Sequence, residues 1–277
     1  MECRKELRCE CTGLDSIASN PLRDVQDISY DSWLRVVEEF SRLRLSHEAD
    51  RLSALLGIAK VFHAKLISTY LRGLWAEDLA RGLLWDVTRN ENRQNREVAP
   101  TWSWASIVMT EEIGIIFPAA HDASFSKNAQ FYPSNPASPP TMSPDTSSFE
   151  TFLETKTICV HTEYFFATVF LPETEENTML VFDADIEDMI LISIYGMNSD
   201  IPLHPGGHRE QSWEVCSLLL GSMTERNYEL NEEAKFLCTL VVRFNSIIGA
   251  WERIGVLDVR KDDVSYSSIG GREFNLM

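Results

Sequence analysis

No apolar run in the 277 residues approaches the roughly 18 that a membrane-spanning helix needs, and the opening MECRKELRCECTGLD alternates charge with cysteine where a secretory signal would be apolar. No Asn-x-Ser/Thr acceptor occurs anywhere. These absences read as a cytoplasmic chain. Basic charge is scarce: 25 Lys and Arg stand against 42 Asp and Glu, a net charge of −17. Such a chain repels phosphate backbones and anionic lipid, so neither nucleic acid nor membrane is expected as a partner. Also missing are the glycine patterns G-x-G-x-x-G and G-x-x-x-x-G-K-[ST] of nucleotide sites and the G-x-S-x-G turn of serine hydrolases.

What is present is ordinary globular composition, 44% hydrophobic and 10% aromatic, enough to build a core. The acidity is local: residues 1–100 carry 15 basic and 16 acidic residues, whereas residues 150–200 carry one and 11. Residues 121–149 hold seven Ser and five of the 11 Pro without helical or strand periodicity, the composition of a linker or long surface loop.

Before that loop the pattern is helical. Trp33, Val36, Val37, Phe40 and Leu43 recur at helical spacing behind Ser29 or Asp31 as N-cap, and Leu52, Leu55, Leu56, Ala59 and Phe62 do so behind Asp50. Shorter helical turns are expected over 71–75 and 77–84. After the loop, short runs rich in Val, Ile, Phe and Thr predict strands over 157–170, 179–182, 189–194, 213–220, 236–243 and 252–258. Their close spacing favours antiparallel pairing. The expected fold class is α+β, a helical part followed by a β-rich part of sandwich or barrel type. Its divisions are an N-terminal segment 1–28, a helical region 29–118 ending in an APTWSWAS strand, a loop 119–150 and a β-rich region 151–277.

Several clusters invite chemistry and fall short of it. Cys3, Cys9 and Cys11 lack the second knuckle of a structural zinc site. His204 and His208 are four apart, but Pro205, Gly206 and Gly207 between them forbid the helix that would align the two rings. Asp183, Asp185, Glu187 and Asp188 resemble the start of a calcium loop, yet Asp188 and Ile194 stand where that loop requires Gly and Glu. Cys159, Cys216 and Cys238 sit in apolar runs and read as buried thiols. His47, His63, His121 and His161 are isolated. Trp102 and Trp104 alternate with small polar residues and read as core side chains of a strand rather than a stacking site for a ligand. No catalytic, cofactor-binding or metal-binding residue is assigned, and no cofactor is expected.

The segments DSWLRVVEEFSRLRLSHEADRLSALLGIAKVF, YLRGLWAEDLARGLLWDV and APTWSWASI, taken in order, resemble the region that follows the effector domain in fungal heterokaryon-incompatibility (HET) domain proteins. The matching pieces are Val36 to Ser41, Asp50 to Ala59, Tyr70 to Trp85 and Ala99 to Ser106. WEVCSLLLG, WERIGVLDV and REFNLM are similar to that family's closing strands, while residues 121–200 diverge, and Leu56 stands where the family usually has Ser. The family's TIR-like module, with its LSYCWG-type strand, has no counterpart here. The resemblance implies kinship with nonself recognition and regulated cell death without the effector itself, as a short paralogue or a truncated gene model.

The favoured function is therefore a non-catalytic accessory or interaction region whose partner is another protein, either a HET-type effector module or a second copy. Two alternatives remain: an enzyme with a site where the helical and β parts meet, and an acidic β-module that binds a basic partner through residues 150–200.

Overall fold

In the computed structural model, the described residues are 28–43, 45–87, 98–107, 114–117, 124–133, 156–171, 179–182, 190–191, 211–227, 232–261 and 269–277. The fold is α+β: helices come first, and a large, mostly antiparallel sheet follows.

Helix α1 spans Tyr30–Ser41. Ser29 is its N-cap: the Ser29 hydroxyl accepts from the Ser32 N–H at 3.2 Å while the Ser32 hydroxyl accepts from the Ser29 N–H at 2.9 Å, a reciprocal pair that satisfies two amide donors otherwise left over at a helix start. Its inward face buries Trp33, Leu34, Val36 and Val37. The helix stops before Leu43, which the apolar stripe had included and which is 58% exposed. Helix α2, Arg51–Leu66, follows a 3-10 turn at Glu48–Asp50. Asp50 does hold the N-cap position, but its side chain makes no capping hydrogen bond. Leu52, Leu55, Ala59 and Phe62 face the core as their spacing demands.

YLRGLW departs from the helical expectation. It forms a hairpin of β1 (Tyr70–Leu71) and β2 (Leu74–Trp75), with Tyr70 opposite Trp75. The two loop residues decide this, because Arg72 and Gly73 both take positive φ, 46° and 98°, the requirement of a tight type I′ turn. A 3-10 turn (Ala76–Asp78) leads into the one-turn helix α3 (Leu79–Gly82), and β3 (Asp86–Val87) pairs with β4 (Ile115–Ile116). APTWSWAS, expected as a strand, runs instead through turns into a 3-10 helix at Trp104–Ser106, with the Ser103 hydroxyl accepting from the Ala105 N–H. Burial has no period of two here: residues 99–107 are all buried, and both indoles point inward from a turn, not from a pleat.

The sheet contains β5 (Ser126–Lys127), β6 (Gln130–Pro133), β7 (Ile158–Leu171), β8 (Met179–Phe182), β9 (Ile190–Leu191), β10 (Gln211–Asn227), β11 (Glu232–Asn245), β12 (Ala250–Arg260) and β13 (Ile269–Leu276). Each predicted run overlaps one of these strands, though of 189–194 only 190–191 lie among the described residues, and β10, β11 and β12 extend well beyond their apolar stretches. Strands β5 and β6 lie inside the segment read as loop, where backbone pairing to β10 and β7 overrides the Ser-rich composition. Among the described residues every pairing is antiparallel except that of β12 with β13, at Trp251 and Leu276.

One hydrophobic cluster runs through both parts, from Trp33, Leu55, Phe62, Trp85 and Trp104 to Ile158, Leu218, Leu240 and Phe274. Trp33 is its hub, set edge-on to Phe62, Tyr70 and Trp75 at 5.2, 5.5 and 5.4 Å. Each such aromatic pair adds about 0.5–1.5 kcal/mol beyond area burial. Among the described residues no helix is long and apolar enough to cross a membrane.

Candidate functional site

The helical part is laced together by indole N–H groups, one of which reaches the backbone just before β7. Trp33 and Trp104 both donate to the Gly73 carbonyl, at 2.9 and 3.2 Å, and the Ser103 hydroxyl donates to the Arg72 carbonyl at 2.6 Å. The hairpin turn is thus clamped at two successive carbonyls. Only glycine fits at 73, since a Cβ there would stand 2.5 Å from Trp104 Nε1. Arg72 carries a full side chain in a left-handed conformation, which costs about 1–2 kcal/mol relative to the ordinary region. Trp85 donates to the Trp102 carbonyl at 3.0 Å, and Trp102 donates to the Lys156 carbonyl at 3.1 Å. Thr101 closes the set: its N–H and its hydroxyl donate to the Met277 carbonyl, and its oxygen accepts from the Arg253 N–H at 3.1 Å.

Between these fixed positions lies a cleft of about 150 Å³, walled by Arg72, Pro100, Thr101, Lys156, Glu252 and Met277 among others. Glu252 is only 1% exposed. Its carboxylate accepts from the Asn245 amide at 3.0 Å and stands 3.5 Å from the Arg243 guanidinium. Two cations and one carboxylate therefore border a partly apolar hollow whose backbone is held by tryptophan hydrogen bonds.

The next residue on β12, Arg253, is equally buried and turns the other way, as alternation along a strand requires. Its guanidinium donates to the Leu83 and Trp85 carbonyls and stacks on the Trp85 ring. Burial pushes its pKa down to about 9, partly opposed by the nearby Asp86 charge, so it is a buried cation at neutral pH. Burial likewise pushes the Asp86 carboxyl up to about 6, against the opposing pull of the Val87 N–H and of Arg253. This arrangement is a latch between the two parts of the fold.

Of the residues singled out from sequence, the described ones are not gathered into one site. Cys3, Cys9, Cys11, His121, His204, His208, Asp183, Asp185, Glu187 and Asp188 lie outside the described residues. Among the described ones, no group of three or more His, Cys, Asp or Glu could hold a metal ion. His63 stacks on Trp75 with its Nδ1 2.8 Å from the Ser68 carbonyl, whereas His161 is on β7. Cys216 and Cys238 are buried as expected, and desolvation pushes the Cys216 thiol up to about 12, while Cys159 is half-buried. Trp102 and Trp104 are core side chains.

Sequence reasoning missed Arg72, Lys156, Glu252 and Arg253. A signal existed for the last two. Adjacent opposite charges inside the apolar run AWERIGVLDV point to opposite faces of a strand, so at least one of them needs a buried partner. No model of a known protein family matches the chain, and no curated protein or solved structure does either.

Proposed function

We propose that this chain is a non-catalytic accessory or interaction region of the heterokaryon-incompatibility type, working in the cytoplasm through contact with an effector module of that type or with a second copy of itself. The observation that carries the reading is the fate of the motif tryptophans. Trp33, Trp75, Trp85, Trp102 and Trp104 are all buried, and four of them direct their N–H to backbone carbonyls, three within the helical part and one, Trp102, at the start of the sheet. Motifs used this way build a stiff body instead of presenting reactive groups. Exposed Phe244, Ile247 and Ile248, at and beside the turn between β11 and β12, supply apolar surface for a contact.

The same reading takes the five long strands as a small barrel. In its support, pairings run from β7 through β10, β11, β12 and β13 and return to β7. A second reading, an enzyme with its site where helices meet strands, has the cleft in its favour; what the cleft offers is charge recognition.

The test is inducible expression in a fungal host, with an effector-bearing relative as positive control and viability and cellular NAD as readouts. The expected result is normal growth and normal NAD from this chain alone. Death or NAD loss at matched expression would overturn the accessory reading.

A further inference from the structure

We propose that the outward face of α2 docks an acidic amphipathic helix of a partner protein, laid alongside it with carboxylates against Lys60 and Lys65. This rests on the accessory reading and chooses, between its two partners, another protein over a second copy.

Helix α2 is apolar on two opposite faces. Leu52, Leu55, Ala59 and Phe62 turn inward and are buried. On the other side Ala54, Gly57, Val61 and Ala64 follow one another at steps of three, four and three, and all four are exposed, Val61 at 57%. That spacing is the seam of a helix pair, and a helix apolar all round is ordinarily covered on both sides. Gly57 points the same way. Glycine is disfavoured in a helix interior, and nothing lies within 4 Å of where a Cβ at 57 would stand, so no internal packing calls for it. A small residue at a helix contact lets the two axes approach closely.

The charges choose the occupant. Lys60 and Lys65 flank the seam, one on each side; both are exposed, and neither takes part in the described ion pairs. Helix α2 contains no Asp or Glu. Positions beside a seam set which helix can pair with it, opposite charges attracting and like charges repelling. Two copies joined through this face would set Lys60 against Lys65 if parallel and Lys60 against Lys60 if antiparallel. Lysine on lysine is thus built against self-pairing, whereas a helix with Glu or Asp beside its own seam satisfies both cations. The chain's net charge of −17 also makes two copies repel.

The experiment titrates the full chain with two synthetic helical peptides that share an Ala/Leu seam, one carrying Glu and the other Lys at the flanking positions, followed by amide NMR shifts. The Glu peptide is expected to saturate with a Kd of about 0.1 mM or tighter, with shifts centred on α2, and the Lys peptide to bind at least about tenfold more weakly. Val61→Asp changes an exposed side chain, so it should fold as the wild type does and lose the Glu peptide. Lys60→Glu combined with Lys65→Glu should reverse the preference between the peptides. The proposal is overturned if the Glu peptide fails to saturate by about 1 mM, ten times that Kd, if its shifts fall away from α2, or if the Lys peptide binds as well. Sedimentation of the wild type alone covers the other occupant: a dimer that Val61→Asp dissolves would place a second copy on the seam and overturn the choice of partner. Failure of either kind leaves the fungal expression result as it stands, and death or NAD loss there would overturn the accessory reading without altering the measured peptide binding.

Discussion

The guanidinium carbon of Arg253 lies 3.3 Å from the centre of the Trp85 ring, and the same guanidinium donates to the carbonyls of Leu83 and Trp85. One side chain of β12 thereby satisfies the backbone just past α3 and joins the sheet to the helical part. The arrangement suits arginine, whose planar fork can stack and donate at once, and does not suit lysine.

Arg253→Met keeps bulk but strands two buried carbonyls, so the expected loss is about 3 kcal/mol of stability. Arg253→Lys should recover less than half of that. Urea unfolding of the three proteins measures both, and a midpoint for Arg253→Met equal to that of the wild type would remove the latch from the account.

Asp86 makes stability depend on pH. Its folded-state pKa, about 6, lies above the value near 3.9 of an unfolded aspartate. Between these values the folded chain holds more of this proton than the unfolded chain does, so this group's contribution to stability falls as pH rises from about 4 to 6, and the loss is complete above that. The ceiling is about 3 kcal/mol. Asp86→Asn keeps an acceptor for the Val87 N–H, at 2.7 Å in the wild type, and should be more stable at pH 7 with a flatter profile between pH 4 and 6. Denaturation series at pH 4, 5, 6 and 7 compare the slopes.

Ile67 ends α2 in a left-handed conformation, φ 50° and ψ 41°, although a β-branched residue resists that region. It is 67% exposed, so little packing is lost on truncation. Ile67→Gly should therefore stabilise the protein by about 0.5–1 kcal/mol, the gain of a helix C-cap glycine less its unfolded-state entropy. Calorimetry reads this as a higher Tm, and a lower Tm would contradict the strain argument.

Thiol labelling should separate the β-sheet cysteines. Cys216 and Cys238 are buried, and the Cys216 thiol is held far from ionisation, so native protein should protect both from iodoacetamide at pH 8. Half-buried Cys159 should react first of the three, and slowly, because burial and then Glu273 push its thiol up as well. Peptide mapping by mass spectrometry gives the order, and equal labelling of all three would mean that the sheet opens readily.

Much of the architecture was readable from periodicity. Helices α1 and α2 follow their apolar stripes, and the Val- and Ile-rich runs fall in β7 to β12, because burying one face or a whole strand leaves a mark on every second or every third to fourth residue. YLRGLW and APTWSWAS were misread for one reason: in both, a turn places large side chains inward, and spacing alone does not distinguish a turn from a helix or a strand. The Arg-Gly pair of the hairpin was the local sign, but arginine is an unusual occupant of that turn.

The sequence by itself determined the class of fold, the segments that pack and the burial of Trp33, Trp102 and Trp104, since each depends on which residues prefer to leave water. Only the tertiary structure decided where those tryptophans send their N–H groups, that Arg253 latches helices to sheet, and that Arg72, Lys156 and Glu252 share a cleft. These three come from separate stretches of the chain, and their meeting depends on strand register and on a clamped turn, relations between distant residues that no local pattern encodes.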